Sequence, residues 1–165
     1  MKTMPGFTLI ELMTVIAIIA ITTAIAVPNL FGWRVDREFT IAMQRTVSTL
    51  NSARIHAAKE NAYAVILFDV DKKQFRSFVD ISRNGMWDPD KDRHIDFYEI
   101  PPTVHISHCN FPAFGNTPGT YRFRYNPQGV PAGPGRIELT SRAGRSAQVV
   151  VAPSGRIRTE HRGRP

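Results

Sequence analysis

Residues 7–31 read FTLIELMTVIAIIAITTAIAVPNLF, an apolar run interrupted by one charge, Glu11. About 20 helical residues at ~1.5 Å rise each cross the core of a bilayer, so this run is long enough to span one. Beyond Pro28 the apolar positions thin to Val35, Phe39, Met43, Val47, Leu50, Ala53 and Ala57, with charges between. Steps of three and four place these on one helical face, which predicts that the helix continues and lays that face on a sheet. The pattern fades near Asn61. One helix over residues 7–60 would be ~80 Å long, with about half of it beyond the membrane.

After Asn61 the apolar period falls to two. Residues 62–69 (AYAVILFD) and 74–80 (QFRSFVD) flank a polar turn at 70–73 and predict a hairpin. Residues 103–109, 120–126, 136–141, 146–152 and 155–160 read as further strands, with Gly- and Pro-bearing turns before or between the last four. The prediction is an α+β fold, a long N-terminal transmembrane helix packed on antiparallel β-sheets, with no internal repeat.

Composition adds a charge asymmetry. Of a formal net charge of +7, residues 1–118 contribute nothing, while residues 119–165 hold nine Arg and two acids, Glu138 and Glu160. An anionic partner for this end and a solvated face kept soluble by charge both fit. A single cysteine, Cys109, excludes an intrachain disulfide framework.

Six residues precede the apolar run, with one positive charge, Lys2, and a glycine, Gly6, at their end. A secretory signal would carry its small-residue cleavage site after a shorter apolar region. Here the glycine comes first and the run leads on into helix. Glu11 is costly inside a bilayer, at roughly 2.5–3.5 kcal/mol on insertion scales. Either it stays near the interface, or it awaits a cation in an assembly.

Gly6-Phe7-Thr8-Leu9-Ile10-Glu11-Leu12 resembles the processing signature of type IV prepilins and type II secretion pseudopilins. The resemblance implies cleavage by a prepilin peptidase between Gly6 and Phe7, N-methylation of Phe7, and pairing of Glu11 with a neighbouring subunit's N-terminus. It makes Pro28 the helix-kinking proline of these families. It also implies a leader at 1–6, a membrane and assembly helix at 7–31, and a periplasmic domain at 32–165, anchored once in the inner membrane and later moved into a filament of other pilins. No cofactor is implied.

The resemblance reaches further. Leu50-Asn51-Ser52-Ala53-Arg54-Ile55-His56-Ala57-Ala58-Lys59, Tyr125-Asn126-Pro127-Gln128-Gly129 and Ser154-Gly155-Arg156-Ile157-Arg158 are similar to segments of the GspH/FimT group of pseudopilins and minor pilins. Gly155-Arg156-Ile157-Arg158 resembles the G-R-x-R motif of its FimT branch, minor pilins that bind DNA in natural transformation. That resemblance gives Arg156 and Arg158 a DNA role. Spacing alone adds Arg162 and Arg164, which share their parity on an extended chain, ~6.7 Å per step. Arg142 and Arg145 lie in a neighbouring turn and are candidates to join the row. Guanidinium forks suit phosphate. The tail has no aromatic residue, so sequence-independent phosphate contact is expected there rather than base stacking. The other reading is a structural type II secretion pseudopilin with no DNA role.

Three lesser constellations remain. Residues 80–99 nearly fit a calcium loop in two registers. From Asp80, Lys91 falls where Glu is needed. From Asp88, the ligands Asp90, Asp92, Asp96 and Glu99 fit, but Arg93 replaces the glycine. A structural loop is the favoured reading. His105, His108 and Cys109 fit zinc poorly, because strand parity pairs His105 with Cys109 and leaves His108 opposite. No catalytic motif stands out, so no enzyme is expected.

Overall fold

The computed structural model describes residues 7–115 and 117–162, except for the side chains of residues 28, 29 and 162. Helix α1 runs Leu9–Glu60, 52 residues and thus ~78 Å. Thr8 caps its start, with Glu11 three places on completing a capping box. Asn61 ends it in the left-handed region, φ 50°, its N–H donating to the Ala57 carbonyl. The helix passes through Pro28, whose ring nitrogen has no hydrogen to give the Ala24 carbonyl.

The expected helix face is the one that packs. Phe39, Met43, Leu50, Ala53 and Ala57 are buried, Val35 and Val47 partly so. Thr46 and Thr49 are buried among them without loss, since Thr46 donates to the Ala42 carbonyl (2.9 Å) and Thr49 to Asp96 Oδ2 (2.8 Å).

The strands are β1 Tyr63–Asp69, β2 Gln74–Asp80, β3 Arg93–Glu99, β4 Val104–Cys109, β5 Thr120–Tyr125, β6 Gly135–Ser141, β7 Ser146–Val151 and β8 Ile157–Arg162. They form two antiparallel sheets, ordered β3-β2-β1-β5 and β4-β6-β7-β8. All seven expected strands are present within two residues at each end. The eighth, β3, lies where an acidic loop was expected. It is an edge strand with one exposed side, and a bulge opposite Ser77/Phe78 breaks its alternation, so RHIDFYE carries little periodic signal.

One core joins helix and sheets. Leu50, Phe68, Phe75, Phe123, Tyr125, Ile137, Leu139 and Val149 are buried in it. Phe111, from the loop after β4, stacks on Phe68 (5.5 Å) and tilts on Phe123 (4.7 Å). Full burial of each such side chain stabilises by roughly 1.5–3 kcal/mol.

Candidate functional site

The first candidate is the free half of α1. Phe7 is 88% exposed, and the large apolar side chains from Leu9 to Ile25 are exposed too. A core helix of this apolarity would be buried, but none of its most apolar window is. Two of its hydroxyls bond within the helix, which suits a lipid-facing surface. Thr14 and Thr22 donate to the carbonyls of Ile10 (2.8 Å) and Ile18 (2.9 Å). Glu11 Oε2 accepts from Thr8 N (3.1 Å) and Thr8 Oγ1 (3.2 Å), and Glu11 N donates to Thr8 Oγ1 (3.3 Å). In a single chain, then, Glu11 caps its own helix. Gly6 and the rest of residues 1–6 lie outside the described residues.

The second candidate is the arginine end, and its geometry departs from the expected row. Strand β8 begins at Ile157, so exposed Arg156 belongs to the turn before it. Arg158 is on the strand and exposed, but its Nε is 2.7 Å from Glu160 Oε1. Glu160 has the same parity as the arginines and interrupts the row. Gln148 Nε2 holds its other oxygen at 2.6 Å. Arg162 ends the strand, and its side chain lies outside the described residues, as does all of Arg164. Arg145 turns the other way. It meets Asp36 at 3.0 Å and stacks over Phe39 (5.1 Å), beside a groove of about 420 Å³ between α1 and β8. Arg142 is exposed in the β6–β7 turn, at the opposite end of the sheet from Arg156.

The partner of Arg158 that sequence reasoning missed is Arg136. Val150 pairs with Arg136 on one side and Arg158 on the other, so both arginines rise from the same sheet face. Two strand spacings put their Cα atoms ~9.6 Å apart. They line an open groove of about 310 Å³ with Asn110, Pro134 and Val150. Arg136 opens a strand in the sequence, but nothing there says that β7 alone separates it from β8.

The acidic residues do not converge. Asp92 Oδ1 accepts from Ile81 N (3.0 Å) and Ser82 N (3.1 Å), and its Oδ2 from Asp88 N (3.0 Å). Asp80 similarly takes Asn84 N (3.1 Å) and Gly85 N (2.9 Å). Asp88 accepts from Asp90 N (3.1 Å), which holds its carboxyl below the usual range, and Lys91 Nζ is 3.3 Å away. Asp96 and Glu99 are on β3, Asp96 held by Thr49. These carboxylates brace a loop. Among the described residues no three His, Cys, Asp or Glu side chains gather as a metal site.

The β4 parity also differs from expectation. A bulge between Ile106 and His108 puts His105 and His108 together on the exposed face and turns Cys109 inward. Burial pushes the Cys109 thiol up to about 11, so it is inert at neutral pH.

A sequence profile described as "Type II transport protein GspH" matches residues 42–155, and one described as "Prokaryotic N-terminal methylation motif" matches residues 1–27. The "Pilin-like protein PilA1" of Thermus thermophilus is 27% identical over 167 residues, covering 94% of this chain and 97% of that protein. The minor pseudopilin EpsH from the Type 2 Secretion System of Vibrio cholerae superposes with a TM-score of 0.56 at 13% identity, over 74% of this chain and 95% of that one. The type IV minor pilin FimU of Pseudomonas aeruginosa does so with a TM-score of 0.54 at 13% identity, over 76% and 90%. At such identity the two structures speak to the fold alone.

Proposed function

The chain belongs to the family described as Type II transport protein GspH, and on that basis we propose that it is held in the inner membrane by residues 7–31 and moves from there into a pilus or pseudopilus. It is a pilin-like subunit of the minor pilin and pseudopilin kind, with a prokaryotic N-terminal methylation motif. In this reading residues 1–6 are a leader, cut after Gly6 by a prepilin peptidase. Phe7 becomes the methylated N-terminus, and residues 32–165 form the periplasmic domain.

The carrying observation is the exposed apolar half of α1, whose side chains have nothing to pack on among the described residues, while Thr14 and Thr22 turn their hydroxyls back onto the helix's own carbonyls. A bilayer covers it first and neighbouring helices cover it later. Glu11 then exchanges its bonds to Thr8 for a neighbour's N-terminal cation. The test is the full chain in membranes with a prepilin peptidase. Mass spectrometry should show loss of residues 1–6 and a methylated Phe7. Gly6→Val should block cleavage, and Glu11→Ala should be cleaved yet absent from the sheared filament fraction. Wild-type filament incorporation by Gly6→Val would overturn the reading.

A DNA role is the finer part. The groove between Arg136 and Arg158, with Arg156 at its end, supports phosphate contact. Three contacts on duplex DNA predict a slope of log K against log salt of about −2.7. Arg156→Ala/Arg158→Ala should flatten it to about −0.9. Equal binding by both proteins would favour the structural secretion pseudopilin. The Glu160 carboxylate in the middle of the row supports that second reading.

A further inference from the structure

The sheet β3-β2-β1-β5 has one face on α1 and the core, and another turned away from both. On β5, Phe123 and Tyr125 point into the core, so Arg122 and Arg124 point out. On β2, Phe75 points in and Arg76 points out. Leu67 pairs with Arg76 on one side and with Arg122 on the other, so those two share a row. Strand geometry spaces their Cα atoms ~9.6 Å apart across the sheet, with Arg124 ~6.7 Å along from Arg122.

Each of these guanidiniums lies over a ring. Arg76 is 4.9 Å from the Phe97 centroid and 5.3 Å from that of Trp87. Arg122 is 5.3 Å from Phe114, and Arg124 is 4.8 Å from Tyr63. None of the three has an ion pair or donates a side-chain hydrogen bond among the described residues. Arg34, Arg93, Arg145 and Arg158 all have carboxylates. Three charges and their N–H donors are thus held in place by rings and left without an anion.

The surface is also braced. The loop between β2 and β3 folds over it, pinned by Asp80 and Asp92. It brings Trp87 edge-on to Phe78 (5.4 Å) and His94 (5.8 Å). Gly85 lies so close to Arg122 that a Cβ there would meet its Nη1 at 2.6 Å. Phe97, on the edge strand, stays 37% exposed. Unpaired cations beside planar rings suit a ligand that brings phosphates and flat bases together. An acidic peptide would use the charges and leave the rings idle, and a duplex would hide its bases.

We propose that this outer face is a binding site for a single-stranded polynucleotide, with phosphates on Arg76, Arg122 and Arg124 and a base stacked on Phe97. The site is on a different sheet from Arg136 and Arg158 and does not depend on the DNA role of that pair.

The test is titration of the full chain, in nonionic detergent, with fluorescent oligothymidylate at several salt concentrations. Three contacts to a single strand predict a slope of about −2.1, which Arg76→Gln/Arg122→Gln/Arg124→Gln should bring close to zero. Phe97→Ser should weaken binding by about tenfold or more at fixed salt. These readings are taken in the Arg156→Ala/Arg158→Ala background, so that the phosphate contacts proposed for β8 do not contribute to them. The proposal is overturned if the wild type does not bind at low salt, or if that background alone loses binding. It is equally overturned if polyglutamate competes as well as unlabelled oligothymidylate. Should the triple variant lose its melting transition, Phe97→Ser decides alone, and unchanged affinity there overturns the proposal.

Discussion

Tyr125 is wholly buried, and its hydroxyl is without a hydrogen-bond partner among the described residues. Its ring meets Phe123 edge-on at 5.0 Å, so the ring is well packed and the oxygen is a burden. A buried polar group left unpaired costs about 1–3 kcal/mol. Tyr125→Phe should therefore stabilise the protein, by about 1 kcal/mol, read as a higher melting temperature in detergent. Burial also raises the phenol from 10.0 to about 12. Between those values the unfolded state binds fewer protons than the folded one, so wild-type stability falls as pH rises through that window. The phenylalanine variant should lack this contribution to the alkaline decline. At this scale sequence reading was partial. It marked Arg156 and Arg158 but passed over Arg136 and over Glu160, which shares their parity, and a one-residue bulge reversed the faces of His108 and Cys109.

At the scale of elements, the second half of α1 and most strands were legible because each buries one side and so keeps its period of 3.6 or 2. Strand β3 was not, since an exposed edge with a bulge keeps no period. Residues 80–99 resembled calcium ligation because the same short polar side chains that bind a cation also bind backbone N–H groups. Asp92 holds three such donors, on Ile81, Ser82 and Asp88. Asp92→Ala should cost about 3 kcal/mol by denaturant titration, by stranding donors that were paired with a charge. EDTA should leave the wild-type melting temperature unchanged. A chelator-induced drop would show that the loop holds a cation after all.

At the scale of the molecule, a single helix does two jobs along its length. Its second half joins both sheets, and its first half is left exposed. Leu50, fully buried, packs in the core shared by both sheets. Leu50→Ala should cost about 2–5 kcal/mol. Both sheets should then lose hydrogen-exchange protection together, since α1 and one cluster hold them to each other. Loss of one sheet well before the other would show two independent units. The exposed half should add little to domain stability, because its apolar surface is not covered within one chain.

Periodicity and length are local properties of a chain. The helix, its packing face, the positions of most strands along the chain and the membrane-length apolar run could therefore be read from the residues in order. So could the N-terminal methylation motif, a contiguous string within residues 1–27. Which charged groups meet was settled elsewhere, by the pairing of strands distant in sequence. Arg136 lies level with Arg158 across Val150, and Arg76 aligns with Arg122 across Leu67. Register and strand order are set by the whole core, and no short window of residues contains them.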